Sequence, residues 1–340
     1  MKKEVSFLVC GILIGALVAT CGFAWFLRST KGTSAGSAGR LVLKLGHSLD
    51  TSHPVHQGME FMKKRLEELS GGMVTIDIYP SSVLGSEVQC IEQLQNGSLA
   101  MTKTSAASIE NFVPEMAVFG LPYLFRDADH YWAVLKSNVG KELLQKGNTK
   151  FLLGLCYYDS GSRNFYTKDR PIRTPDDLKG LKIRVMNSRT AMDMVESLGA
   201  SPTPIAWGEL YTALAQGTVD GAENNPPSFT TNKHYEVCKH FSQDAHTRVP
   251  DMLLISTKIW DKLDPQVQGW LQQAADESSD YQRELWQKKT AESLEQAKAE
   301  GVTVYEVDQS LFAKKVQPMY EALEDEAIKQ LVIQMRQVRP

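Results

Sequence analysis

Two arginines in adjoining segments have the chemistry needed to bind an organic acid. Arg184 lies in the run GLKIRVM, where Leu181, Ile183 and Val185 alternate with polar residues, as in a strand with two different faces. Arg184 is therefore either solvated at a sheet edge or presented into a cleft. Arg163 lies in GSRNFYT, just ahead of a proline-containing loop. A guanidinium is permanently charged and holds a carboxylate through two parallel hydrogen bonds, so convergence of the two arginines predicts capture of an anion.

The elements that position these side chains follow a βα pattern. A strand around Leu43 enters the loop GHSLDTSHPVH, and a helix, the strand MVTIDIY, a second helix and the strand SLAMTKTSAAS follow. The strand ends place Lys103 or Ser105 near the same edge as Glu87 and His47. Alternating strands and helices predict a largely parallel sheet, and ligands of such sheets bind beyond the carboxyl ends of the strands.

No metal, redox or enzyme motif stands out. His47, His53 and His56 share a loop without helical register or a carboxylate pattern, so we expect no metal and no cofactor, and His47 is instead a candidate donor to a ligand hydroxyl. Cys90, Cys156 and Cys238 have no CxxC spacing and are expected to be buried, with at most one bridge. The aromatic run VFGLPYLFRDADHYW is interpreted as core and inter-domain packing. There is no P-loop and no metal-ligand helix.

The N-terminus has the features of an export segment. Lys2 and Lys3 precede an apolar run from Val5 to Leu27, followed by the linker STKGTSAGSAGR. The run is long enough to cross a bilayer, so residues 1–39 are either a cleaved signal peptide or an uncleaved anchor plus linker. Lipidation at Cys21 is the less favoured alternative. The rest has an ordinary composition, with 42% hydrophobic residues overall and a net charge of −3, and nothing in it indicates nucleic acid binding.

Several motifs, in order, resemble the solute-binding proteins of tripartite ATP-independent periplasmic (TRAP) transporters. They are PSSVLGSE, EQLQNGSLAM, VPEMAVFGLPYLF, DLKGLKIRV, LGASPTPIAWGELYTAL and VDGAENNP, and the resemblance spans Leu41 to about Tyr320. It implies two α/β domains with a cleft between them, a long hinge-spanning helix and closure on an organic acid. It also implies that Arg184 makes the main salt bridge to the ligand carboxylate, with Arg163 and Asn224 beside it.

Within that family, the segments GHSLDTSHPVH, SGSRNFY and DGAENNPPSF look most similar to members that bind hexuronates such as glucuronate or galacturonate. Sialic-acid-binding members have a glutamate where this chain has Ser105 and an asparagine where it has Ser48, so sialic acid is disfavoured. A hydroxyl-rich acid needs several polar partners besides the two arginines. The expected ones are His47, Glu87, Asn224, Asn225 and Trp207, and Ser105 is a further ligand-binding candidate.

The predicted organisation has two discontinuous domains. Domain I is expected to comprise residues 40–160 with about 250–288, and domain II residues 161–249 with about 289–330. Helix-forming sequence over about 265–299 is expected to bridge both domains, with an apolar face that includes Leu271 and Trp286.

The resemblance implies a non-enzymatic, periplasmic protein that delivers its ligand to the small and large membrane permease subunits. Two alternatives stay open: a protein of the same family that binds a C4-dicarboxylate or another organic acid, and a periplasmic domain that senses its ligand. A glycosidase-like enzyme is disfavoured, because acidic pairs in a chain with 40 Asp and Glu residues carry little information.

Overall fold

The computed structural model describes residues 40–340, and Val42–Pro340 form one compact unit. Eleven strands in this described part make two mixed sheets with the orders β2-β1-β3-β10-β4 and β11-β9-β5-β8-β6-β7. We call the five-stranded sheet with its helices the first lobe and the six-stranded sheet with its helices the second lobe. The strands are β1 Leu41–Gly46, β2 Val74–Tyr79, β3 Met101–Ser105, β4 Leu152–Tyr158, β5 Arg163–Thr167, β6 Lys182–Val185, β7 Ser201–Pro204, β8 Gly221–Asn224, β9 His240–Thr247, β10 Asp251–Ser256 and β11 Thr303–Glu306.

Helices cover both sheets and connect the strands. They are α1 Pro54–Leu69, α2 Glu87–Asn96, α3 Ala106–Ile109, α4 Ala128–Lys136, α5 Asn138–Gln145, α6 Arg189–Leu198, α7 Trp207–Ala215, α8 Pro226–Thr231, α9 Thr257–Trp260, α10 Pro265–Ala299, α11 Gln309–Glu321 and α12 Glu326–Gln337. Among these residues, no helix is both long enough and apolar enough to span a bilayer. The predicted export segment and the predicted lipidation at Cys21 lie outside the described residues.

The sheets are mixed, which corrects the expectation of a largely parallel arrangement. β10 runs antiparallel to both β3 and β4, and β5 runs antiparallel to both β8 and β9. The cause is the chain path, because each sheet receives a strand after the chain has crossed from the other lobe. The parallel pairing of β6 with β7 and β8 follows the expected βαβ pattern.

The long helix α10 lies against both lobes, packing on α1 and β4 of the first and on α8 and β11 of the second. Gln282 fixes one crossing between the lobes, since its Oε1 accepts from Asp159 N at 2.7 Å and its Nε2 donates to Asp159 O at 2.9 Å. Gly161 follows with φ +59°, and a Cβ there would lie 2.8 Å from Trp286 Nε1. Glycine is therefore required where this crossing passes beneath the helix.

The apolar cores follow the predicted patterns. The aromatic run contributes Phe119, Phe125, Tyr131 and Trp132 to the first lobe's core, and Tyr123 packs against the core around Phe165 in the second lobe. The three cysteines from position 90 onward are free and buried. Helix α12 also packs into the core of the first lobe. The exact domain boundaries drawn from sequence stay a prediction.

Candidate ligand-binding site

A cavity of about 490 Å³ lies between the lobes and is lined by residues from both. From the first lobe, α2, β3 and the start of β10 contribute; from the second, β5, β6, β8 and α7. Most of the residues that line it are polar, and they include the candidates Arg184, Arg163, Asn224, Asn225, Trp207, Glu87 and Ser105. His47 is the one candidate that is not among the lining residues.

Arg184 is a buried cation whose charge has no carboxylate partner among the described residues. Its side chain lies in the middle of β6, is only 2% exposed, and donates through Nε to Ile205 O at 2.9 Å. The guanidinium carbon lies 5.7 Å from the centre of the Trp207 ring. No carboxylate of the described residues lies within ion-pair distance of Arg184, and its Nη1 has no hydrogen-bond partner there. Burial lowers the pKa of Arg184, as expected for a desolvated charge.

Arg163, in contrast, already has an anionic partner. Its Nε donates to Glu223 Oε2, its Nη2 donates to Glu223 Oε1 at 2.8 Å, and its Nη1 donates to Asn224 Oδ1 at 3.0 Å. Burial works against the ionised form of Glu223, but the charge of Arg163 lowers the pKa of Glu223 to about 2. The two arginines line the same cavity, and within residues 40–340 Arg163 has a carboxylate partner whereas Arg184 has none.

Behind this pair lies a second charged contact. His246 Nδ1 lies 2.6 Å from Asp244 Oδ2, and His246 Nε2 lies 3.3 Å from Glu223 Oε2. Burial disfavours the imidazolium, yet the Asp244 and Glu223 carboxylates raise the pKa of His246 to about 9. His246 is therefore protonated at neutral pH and helps to hold the Glu223 carboxylate in place.

Asn224 and Asn225 connect the strand β8 to the helix α8. Asn224 Oδ1 accepts from Arg163 Nη1 and from Asn225 N, which leaves its amide nitrogen as the donor on the cavity side of the network. Asn225 Oδ1 accepts from Ser228 N at 2.9 Å and so caps α8. These hydrogen bonds hold the side-chain amides of Asn224 and Asn225, both of which the sequence predicts as ligand contacts, at the cavity wall.

The wall of the first lobe carries an ion triad. Lys103 Nζ lies 3.2 Å from Glu87 Oε1 and 3.2 Å from Asp251 Oδ1. Glu87 also accepts from Ser108 Oγ at 2.7 Å and from Ser105 N at 3.3 Å. The capping box of α2, formed by Ser86 and the residue three positions on, begins the helix at Glu87 and so fixes its place.

Burial disfavours the charged form of each member of this triad, and the neighbouring charges also shift each pKa. Lys103 lowers the pKa of Glu87, and the two carboxylates raise the pKa of Lys103. Burial and the nearby Glu87 charge raise the pKa of Asp251. The sequence placed Lys103, Ser105 and Glu87 at one edge correctly, but it missed Asp251 as a site residue. The available signal was an acidic residue opening an otherwise apolar strand.

His47 lies behind the cavity wall. Its Nδ1 accepts from Leu49 N at 3.1 Å, so its Nε2 carries the hydrogen and donates to His56 Nδ1 at 3.0 Å. Burial lowers the pKa of His47 to about 2, which keeps the ring neutral. Both ring nitrogens are thus engaged away from the cavity, and direct contact of His47 with a ligand stays a prediction. Its neighbour Ser48 lines the cavity, and no residue of the described part of the chain is hydrogen-bonded to the Ser48 Oγ.

Two α/β lobes with a cavity between them match the fold of periplasmic solute-binding proteins. The chain belongs to the DctP family, since the model for "bacterial extracellular solute-binding protein, family 7" matches residues 45–326. This is the periplasmic solute-binding family of TRAP transporters, whose members are not enzymes and work with membrane permease subunits.

Solved structures and a named relative agree with this membership. A TRAP solute-binding protein from Xanthobacter autotrophicus with bound β-D-galacturonate is 36% identical, with a TM-score of 0.85 over 87% of this chain and 100% of that one. One from Anaerococcus prevotii with bound D-glucuronate is 33% identical, with a TM-score of 0.85 over 88% of this chain and 98% of that one. The C4-dicarboxylate-binding protein DctP of Rhodobacter capsulatus is 31% identical over 86% of each chain.

Proposed function

We propose that this protein captures a hexuronate, glucuronate or galacturonate, with the ligand carboxylate paired to Arg184. The observation that carries this proposal is that Arg184 is buried in the cavity wall without a carboxylate partner among the described residues. A buried charge without a partner costs free energy that an opposite charge can offset, and the guanidinium fork fits a carboxylate. The matching pair for this cation is therefore an anionic ligand.

The remainder of the cavity suits a ligand rich in hydroxyl groups. Buried Ser48 Oγ and Trp207 Nε1 have no hydrogen-bond partner among the described residues, and both residues line the cavity. Buried polar atoms are normally hydrogen-bonded, so these are sites for ligand oxygens. Hexuronates combine one carboxylate with several hydroxyls, and the relatives from Xanthobacter and Anaerococcus have such acids bound.

The mechanism we propose is capture by hinged closure. The acid binds Arg184, with the second N–H of Arg163 Nη1 and the amide nitrogen of Asn224 beside it in the same lobe, and closure then brings the wall of the first lobe against the ligand. Closure removes water from the ion pair, and the attraction rises as the local dielectric falls. Contacts between the lobes are available at the cavity rim: Glu110 Oε1 accepts from Thr190 N at 3.0 Å, and Asn111 Nδ2 donates to Asn187 O at 2.6 Å.

We further propose that residues 1–39 export the protein, either as a cleaved signal peptide or as an uncleaved anchor, with lipidation at Cys21 the less favoured form. The closed protein delivers its acid to the small and large permease subunits.

Intact mass and membrane fractionation of the protein from its host distinguish the cleaved form from the anchored form. A soluble chain shortened at its N-terminus indicates cleavage, and a full-length chain in the membrane fraction indicates an anchor.

The test of the proposed function is a thermal-shift screen of the exported protein against glucuronate, galacturonate, aldonates, C4-dicarboxylates, sialic acid and neutral hexoses. A ligand that binds the native state raises the melting temperature by mass action. Shifts with the two hexuronates and none with glucose or galactose are expected. Shifts with dicarboxylates alone would keep the family assignment and overturn the hexuronate proposal.

A further inference from the structure

The Lys103 triad on the first lobe carries more acid than base. Asp251 enters β10 opposite Ser105 of β3, and Glu87 begins α2, so three separate segments bring the charges together. Two carboxylates face a single ammonium, which leaves a formal charge of −1 if all three groups are ionised. All three residues line the cavity, with side-chain exposures of 2% for Lys103, 15% for Glu87 and 10% for Asp251.

The hydrogen bonds of the triad distinguish its two carboxylates. Glu87 is engaged through both oxygens, with Lys103 and Ser105 N on Oε1 and Ser108 on Oε2. Asp251 accepts from Lys103 through Oδ1, and no described residue donates to its Oδ2. Asp251 Oδ2 is therefore the acceptor that remains for a ligand, and Lys103 has one N–H beyond the two it uses.

A hydroxyl group matches this pair of open positions, because it donates to a carboxylate and accepts from an ammonium. A second ligand carboxylate does not match, since it can only accept and would lie against an excess of negative charge. Like charges placed in contact at a binding site weaken binding of the wrong ligand. The cavity thus has one end suited to an anion, at Arg184 in the second lobe, and a wall in the first lobe suited to neutral hydroxyls.

We propose that Asp251, held in place by Lys103, is a specificity-determining residue that accepts a hydrogen bond from a ligand hydroxyl and excludes acids with a second carboxylate. This inference rests on the proposed function, in which the first carboxylate pairs with Arg184. The inference about Asp251 explains how this cleft selects an acid with one carboxylate and several hydroxyls, within a family that includes a C4-dicarboxylate-binding protein.

The test compares galacturonate with galactarate, the corresponding sugar acid with two carboxylates, by titration calorimetry on the exported protein and its Asp251→Asn variant. Asparagine keeps the shape and removes the charge. Loss of a charge-assisted hydrogen bond should weaken galacturonate binding about 10- to 100-fold, whereas galactarate binding should strengthen about tenfold or more once the repulsion is relieved.

Two further variants isolate the cause. Asp280→Asn makes the same charge change at an exposed position of α10, where the side chain is 65% exposed, and should leave both affinities unchanged. Asp251→Glu keeps the charge and displaces the acceptor, so it should weaken galacturonate while still rejecting galactarate, and it serves as the test if Asp251→Asn does not fold.

Galacturonate affinity within threefold of wild type in both Asp251 variants would overturn the inference, as would tight galactarate binding by the wild-type protein. If the wild-type protein binds galactarate but not galacturonate, the proposed function fails as well. If it binds both equally, only the inference fails.

Discussion

Replacing Arg184 by methionine should abolish tight acid binding while making the ligand-free protein more stable. Removing one partner of a buried charge pair costs roughly 2 to 5 kcal/mol of binding free energy. Since 1.4 kcal/mol is a factor of ten, affinity for galacturonate should fall between about 30-fold and several thousand-fold. Methionine is unbranched and fills the space of the arginine stem without a charge.

The gain in stability follows from the absence of a resident partner for Arg184. Burying an unpaired guanidinium costs several kcal/mol. Against this, the variant loses the hydrogen bond to Ile205 O, worth about 1 kcal/mol, and the contact with the Trp207 ring, also worth about 1 kcal/mol. The net expectation is a ligand-free protein about 1 to 3 kcal/mol more stable than wild type, with its melting temperature raised by a few degrees.

Calorimetric titration with galacturonate and a thermal melt without ligand check both halves of this prediction. Arg189→Met is the matched control, because Arg189 is 75% exposed and paired with Asp193, and neither affinity nor melting temperature should change appreciably. Affinity of Arg184→Met within threefold of wild type would refute the assignment of the site. A ligand-free variant less stable by several kcal/mol would show that Arg184 has a structural partner.

Three other changes test the network around the cavity. Arg163→Met should destabilise the ligand-free protein by about 3 to 5 kcal/mol, because it leaves the buried Glu223 carboxylate without its main partner; a melting temperature equal to wild type would contradict this. The pKa of His246 is raised from 6.5 to about 9, so its contribution to stability is complete below pH 6.5 and is lost as the pH rises through 9. Melting temperatures measured between pH 6 and 10 should show this loss of stability. The variant His246→Gln should show a smaller decline over the same pH range. Gly161→Ala should cost about 1 to 3 kcal/mol because of the positive φ and the contact with Trp286, and an unchanged melt would mean that the crossing segment relaxes freely.

The sequence was most informative where a local pattern determines the structure. Alternation in GLKIRVM placed Ile183 and Val185 in the core and Arg184 on the other face, and of the two alternatives left open for Arg184, a solvated sheet edge or a cleft, the structure has the cleft. The long helix expected over about 265–299 is observed at Pro265–Ala299. Helical spacing and capping residues are local signals, so such helices can be predicted from the sequence without knowledge of the fold.

The ion pairs of the cavity wall could not be predicted from the sequence, because they depend on the order of the strands in the sheets. Arg163 meets Glu223 because β5 and β8 are antiparallel neighbours, and Lys103 meets Asp251 because β10 inserts antiparallel beside β3. Neither contact follows from spacing along the chain. Residue spacing therefore could not show that Arg163 has a resident carboxylate, Glu223, which the structure provides. The hydrogen bonds that engage both nitrogens of His47 join it to residues two and nine positions further on, so they depend on the conformation of the loop and not on strand order.

The most direct measurement is a calorimetric comparison of glucuronate with glucose on the wild-type protein and on Arg184→Met. The two ligands differ in whether the sixth carbon is a carboxylate or a hydroxymethyl group, so the comparison isolates the ion pair. We expect the wild-type protein to prefer glucuronate by at least about 30-fold, the low end of the cost of a broken buried charge pair, and the variant to lose that preference. Equal preference for glucuronate in both proteins would contradict the account, because the carboxylate would then be bound elsewhere.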